Sequence, residues 1–160
     1  MKNRPPILIT GSHRSGTTWV GKMLNLARGT LMVDEPFHIN EGYETRHYAL
    51  NGLARYWFTY ARELPQKPTR KAYEKVLQKK TGKVFRRRDP KRYLPFLRTG
   101  RLIIKDPIAA LSADWLYNNF DLKVMVLVRH PGAFVASLKR LNWTFPFSHF
   151  LEPQQLLEEQ

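Results

Sequence analysis

Cysteine is missing from all 160 residues, which excludes disulfides, thiolate nucleophiles and cysteine-ligated zinc. Long apolar runs are missing too. No stretch approaches the ~18 residues of a membrane-spanning helix, and the opening Met1-Lys2-Asn3-Arg4-Pro5-Pro6 has no apolar signal-peptide core. A cytoplasmic protein without a transmembrane segment is the expectation. Acidic residues are scarce, 13 Asp and Glu facing 27 Lys and Arg for a formal net charge of +14. Such a surplus implies a polyanionic partner, whether nucleic acid, an anionic membrane, an acidic polymer or a highly charged cofactor, and its sign alone does not choose among them. The few carboxylates form no cluster suited to Mg²⁺, so no metal is expected. What the chain does have is 42% hydrophobic and 12% aromatic residues, enough for one domain with a proper core.

The stretch from Ile7 to Trp19 organises the rest. Ile7 to Thr10 suit a buried strand, Gly11 and Gly16 punctuate a turn, and Trp19, Val20, Met23, Leu24 and Leu26 then recur at helical spacing. A loop between strand and helix gathers backbone N–H groups at the positive end of the helix, which makes a cradle for an oxyanion. The spacing from Gly11 through Gly16 to Thr18 fits the phosphate-binding loop, except that Thr17 stands where nucleoside triphosphatases carry lysine. The loop's cation is Arg14 instead. An ordinary strand-to-helix turn would need neither that arginine nor the hydroxyls of Ser15, Thr17 and Thr18.

Further along, Leu31 to Val33 read as a short second strand, after which Pro36 biases Glu35 toward an extended backbone. A carboxylate is thereby presented past a strand end, where open α/β sheets bind ligands; taken alone, Asp34 and Glu35 would be solvated turn residues. From about Gly42 to Leu64 the pattern is helical, with Tyr48, Leu53, Tyr56, Trp57 and Tyr60 as a core stripe, and Pro65 and Pro68 break the chain. Between Gln66 and Tyr93, twelve cations face only Glu74 and Asp89, so this segment carries +10 of the net charge. A short amphipathic helix is expected around Thr69 to Thr81, followed by Arg86-Arg87-Arg88. The segment is either a solvated surface excursion or a docking face for an anionic acceptor, membrane or nucleic acid, and it lacks the interleaved aromatics of a single-strand binding surface.

Arg101 to Lys105 read as a buried strand closing on Lys105-Asp106 before Pro107, Leu111 to Phe120 as an amphipathic helix, and Ala133 to Leu141 as another. Between the last two, Lys123 to Val128 is the strongest central-strand signal. This alternation predicts an α/β fold, a phosphate-loop-like three-layer α/β/α arrangement about a central parallel sheet. Its strand ends would deliver Arg14, Lys105 and Arg129 to one edge, a site for a multiply charged anion. The tail from Asn142 holds Trp143, Phe145, Phe147 and Phe150 and ends without a closing strand, so a chain shortened at its C-terminus is expected.

Two blocks together resemble the sulfotransferase family. Arg14-Ser15-Gly16-Thr17-Thr18-Trp19 is similar to that family's 5′-phosphosulfate loop, and Val126 to Ser137 is similar to its 3′-phosphate block, an arginine after a strand and a serine eight positions later. The resemblance covers residues 7 to about 141 and implies one sulfotransferase-like domain over 1–160, with the family's later closing segment missing. It further implies a donor, 3′-phosphoadenosine 5′-phosphosulfate (PAPS), whose sulfuryl group passes to an acceptor hydroxyl or amine, leaving adenosine 3′,5′-bisphosphate. Ser15, Gly16, Thr17, Thr18 and Trp19 would hold the donor's 5′ side, Arg129 and Ser137 its 3′-phosphate, and Arg14 would sit by the bridging oxygen where charge develops. Lys105-Asp106-Pro107 lacks the histidine that cytosolic small-molecule sulfotransferases carry there. The match is nearer to carbohydrate, tyrosylprotein and bacterial types, which implies Glu35 as general base and Lys105 as a contact to the sulfuryl oxygens. His38 is the alternative base, while His13 and His130 flank the anion site. The acceptor implied is a small molecule or carbohydrate, for which an anionic character would suit the basic segment; no specific nucleic acid is implied, and oligomeric state is not indicated.

Two other readings compete. A non-catalytic nucleotide- or nucleic-acid-binding module would rely on the +14 charge and be indifferent to a 3′-phosphate. A kinase-like enzyme would need the missing loop lysine.

Overall fold

Short runs of branched apolar residues form the strands. In the computed structural model, which describes residues 4–37, 50, 53–54, 58–77 and 100–144, these are β1 (Ile7–Gly11), β2 (Thr30–Asp34), β3 (Arg101–Lys105) and β4 (Lys123–Leu127). They pair in the order β2-β3-β1-β4, every pair parallel, with Ile9 opposite both Lys105 and Met125 and with Asp34 opposite Lys105. Because all four run the same way, their carboxyl ends emerge along one edge. Helix α1 (Thr17–Leu24) carries the chain from β1 across β3 to β2.

The sheet is covered on both faces. Side chains alternate along a strand, and Met32 and Lys105 turn toward α1, close enough that a Cβ on Gly21 would lie 2.9 Å from Met32 Sδ. On the opposite face Leu8, Leu31, Val33, Leu102 and Ile104 pack with Ala72, Tyr73 and Val76 of α2 (Gln66–Leu77) and with Trp115 and Leu116 of α3 (Ala113–Asn119). The Tyr73 ring lies 4.4 Å from Phe37 and 5.5 Å from Trp115, centroid to centroid. Burying each such large side chain contributes about 1.5–3 kcal/mol. The result is the expected three-layer α/β/α fold, closed among the described residues by α4 (Pro131–Arg140) after β4.

Several elements differ from expectation. Helix α1 ends at Leu24, where Asn25 N–H donates to Gly21 O at 3.0 Å and Leu26 N–H donates to Met23 O at 3.1 Å. Residues 58–60 are not helical and Ala61–Glu63 is a single 3₁₀ turn, so the long helix to Leu64 is not formed where it can be seen; most of 42–57 and all of 78–99, including Arg86 to Arg88, lie outside the described residues. Pro68 does not break the chain. It sits in the first turn of α2, where a missing N–H has no intrahelical acceptor to lose. The helix expected from Leu111 is split into a 3₁₀ segment, Pro107–Ser112, and α3. Finally, β4 is not central among the described strands. It ends the order, and Val126 and Val128 are 55% and 90% exposed. A run of five apolar residues reads alike in either position, because composition reports apolar character and not the number of neighbours.

Candidate anion and acceptor site

The loop after β1 owes its path to two glycines. At Gly11, φ is 146° and a Cβ would lie 2.2 Å from the Leu127 carbonyl oxygen, so only glycine lets β1 end against β4. At Gly16, φ is 100°, and this residue starts α1 with no side-chain cap on the helix. Val20 makes the first helical bond, donating to Gly16 O at 3.1 Å, which leaves the N–H groups of Thr17, Thr18 and Trp19 without acceptors in the helix. They lie at the positive end of the helix dipole with no acidic side chain in the first turn. The buried Ser15 hydroxyl has no partner either. In front of these donors is a cavity of about 310 Å³, lined by Gly16, Thr17, Thr18, Trp19 and Lys22 together with Arg14 and Arg129.

The cations are held by one another's surroundings. Arg14 takes a left-handed backbone, φ 63°, and its Nε donates to Ser137 Oγ at 3.1 Å across the gap to α4. Ser137 is 3% exposed, and as the acceptor here its hydroxyl hydrogen is left to donate. Arg129 donates from Nη1 to the main-chain carbonyl of Arg14 at 2.6 Å. Arg129 and Ser137, 115 and 123 positions from Arg14, thus converge with it on the loop. His13 packs beneath, its ring 4.9 Å from Phe134 and 5.2 Å from Trp143, and burial followed by the nearby Arg14 charge holds its imidazole below the ordinary value. His130 accepts from Gly132 N–H through Nδ1 at the start of α4, which is a capping role.

A second cluster lies at the ends of β2 and β3. Lys105 Nζ is 2.7 Å from Asp34 Oδ1 and 2.5 Å from Glu35 Oε1, with the lysine side chain 3% exposed. Burial alone would lower the ammonium's pKa, but the two carboxylates outweigh it and raise it. Glu35 is not extended as its place before Pro36 predicts: its φ is 46°, a conformation that costs a non-glycine residue roughly 1–2 kcal/mol. The backbone is pinned there on both sides, since Glu35 N–H donates to Lys105 O at 2.7 Å and Phe37 N–H donates to Asp106 Oδ2 at 2.8 Å. Asp106 has no exposed surface, and burial pushes its carboxyl up to about 7 despite the amides that bond to it.

Of the residues singled out in the sequence, Arg14, Gly16, Thr17, Thr18, Trp19 and Arg129 share the cavity, with Ser15 in its loop and Ser137 behind Arg14. Glu35 and Lys105 pair with each other on the same sheet edge but do not line that cavity. His38 lies outside the described residues. Asp34 is not a free turn residue but a partner of Lys105, and Lys22, one helical turn after Thr18, also reaches the cavity. Asp106 carried no signal beyond its place after Lys105. Among the described residues no group of three His, Cys, Asp or Glu could hold a metal, and no helix is long and apolar enough to cross a membrane.

A parallel sheet whose first strand feeds an uncapped helix through a glycine-bounded loop, with two arginines over that loop, defines an α/β protein of the phosphate-loop-like kind. The model of the sulfotransferase family matches residues 5–159, and the chain belongs to that family. Comparison with curated proteins and with solved structures found no match.

Proposed function

We propose that this protein is a PAPS-dependent sulfotransferase in which the loop and Arg129 hold the donor and Glu35 serves as general base. The observation that carries the reading is the convergence of Arg14, Arg129 and Ser137 beside the unpaired amides of α1, two anion-binding groups within one side chain's reach of each other. The donor set fits such a nucleotide: orphan N–H groups and the unpartnered Ser15 hydroxyl suit the 5′ side, while Arg129 and the free hydroxyl hydrogen of Ser137 suit a separate 3′-phosphate. When bound, PAPS supplies the sulfuryl group that passes to an acceptor hydroxyl or amine, with adenosine 3′,5′-bisphosphate as the leaving product.

The chain's own residues divide the remaining work. Trp19, 67% exposed at the cavity wall, offers a flat apolar face to a nucleoside. Arg14 presents a guanidinium fork where negative charge builds on the leaving phosphate. Glu35 takes the acceptor's proton at its carboxylate, whose Oε1 is held by Lys105, and Lys105 neutralises charge at the junction between acceptor and donor. A sulfuryl group carries less charge than a phosphoryl group, and three cationic side chains at the cavity, Arg14, Lys22 and Arg129, are there to meet it.

The test is nucleotide preference. Adenosine 3′,5′-bisphosphate should raise the thermal midpoint well above any shift from ADP or adenosine 5′-phosphate, and PAPS should release the bisphosphate in the presence of an acceptor. Equal shifts with all three nucleotides, together with no release, would overturn the reading.

A further inference from the structure

Glu35 sits in a backbone conformation that its sequence context disfavours twice, as a non-glycine residue with positive φ and as the residue before proline. Strain of this kind persists where neighbouring structure over-determines it. Two bonds hold the turn. One extends the β2–β3 ladder by a single step, from Glu35 N–H to Lys105 O. The other reaches past Pro36, from the Phe37 N–H to Asp106 Oδ2. Asp106 is itself fixed from three directions: its own N–H donates to Ile9 O at 2.9 Å, its Oδ1 accepts from Ile108 N–H at 3.0 Å, and no part of it is exposed. The Phe37 ring is buried against Tyr73, so the far end of the turn cannot drift.

A buried carboxylate spent wholly on main-chain amides touches neither Lys105's ammonium nor the cavity, yet it decides where the next loop runs. We propose that Asp106 is a positioning residue for the acceptor-side base: by holding the Phe37 amide it keeps the Glu35 turn in its left-handed form and the Glu35 carboxylate on Lys105. The proposal rests on the reading of Glu35 as base. Asp106→Asn is the informative change, because it keeps the shape while turning one acceptor into a donor that faces a backbone N–H.

The experiment compares Asp106→Asn, Glu35→Gln and the double variant, measuring bisphosphate release from PAPS with N-acetylglucosamine, a tyrosine-containing peptide and p-nitrophenol as acceptors, alongside amide hydrogen exchange. Glu35→Gln should lower kcat by about 100-fold or more, the scale of a lost general base. Asp106→Asn should lower kcat at least about tenfold with the KM for PAPS nearly unchanged, and should add nothing in the Glu35→Gln background, as residues acting as a unit do. In the unaltered protein the Phe37 amide should exchange as slowly as the amides of β1, and in Asp106→Asn it alone of these should speed up. Wild-type turnover in Asp106→Asn, an equal further loss in the double variant, fast exchange at Phe37 in the unaltered protein, or loss of protection throughout β1 would each overturn the proposal. Full activity in Glu35→Gln, or none in the unaltered protein with any acceptor, would instead remove the assignment of the base and this inference with it.

Discussion

Asp106 gives up its proton at a higher pH than an exposed aspartate does. Burial pushes its carboxyl up to about 7 from an ordinary 3.8, so between those values the folded chain holds a proton that the unfolded chain has released. The stability it contributes is therefore fully present below the lower value and is lost as pH rises through the upper one. Denaturant titrations from about pH 4 to 8 should show Asp106→Asn gaining on the wild type as pH climbs, whereas parallel curves would refute this. His13 works in the other direction, since its depressed imidazole favours the fold above the ordinary value of 6.5 and the benefit is lost as pH falls. In the proposed donor site, Arg129→Ala should weaken adenosine 3′,5′-bisphosphate by roughly 10- to 100-fold, the scale of charge-assisted hydrogen bonds, and adenosine 5′-phosphate much less, as calorimetry would report.

Among the elements, the strands were legible because each is a short apolar run bounded by turn residues, and β1, β2 and β3 fall within a residue of where the sequence puts them. Helices were read less well. Pro68 is a breaker in a helix interior and harmless in a first turn, and nothing local says which position it holds until α2 is seen to start at Gln66. The splitting of the segment after β3 comes from Asp106, whose carboxylate caps a 3₁₀ start that sequence periodicity does not register. The junction of β1 with β4 gives a prediction at this scale. Gly11→Ala places a methyl group against the Leu127 carbonyl, so it should cost more than about 2 kcal/mol in unfolding free energy and lower the thermal midpoint. A variant as stable as the wild type would show that the two strands can part there freely.

For the molecule as a whole, what could not be read was long-range pairing. Arg14 meets Ser137 across 123 positions and Phe37 meets Asp106 across 69, and no local pattern announces either bond. That the glycine loop and the late arginine come to one edge follows from the parallel sheet read in the sequence, but the bonds that hold them there do not. The net charge of +14 acts over the whole surface and is screened, while a partly enclosed pocket is screened less. Raising salt should therefore depress binding of a random polyanion steeply and binding of adenosine 3′,5′-bisphosphate far more gently. Equal slopes would mean that the nucleotide is held by the surface field and not by the loop.

Arg129 grips the oxygen of the peptide link at position 14, and every amino acid carries that oxygen. A replacement at position 14 therefore gives up the side-chain bond to Ser137 and keeps the main-chain tie to Arg129. Trading the guanidinium for lysine or glutamine should thus change the charge and shape of the cavity wall while one of the two stitches across it stays tied.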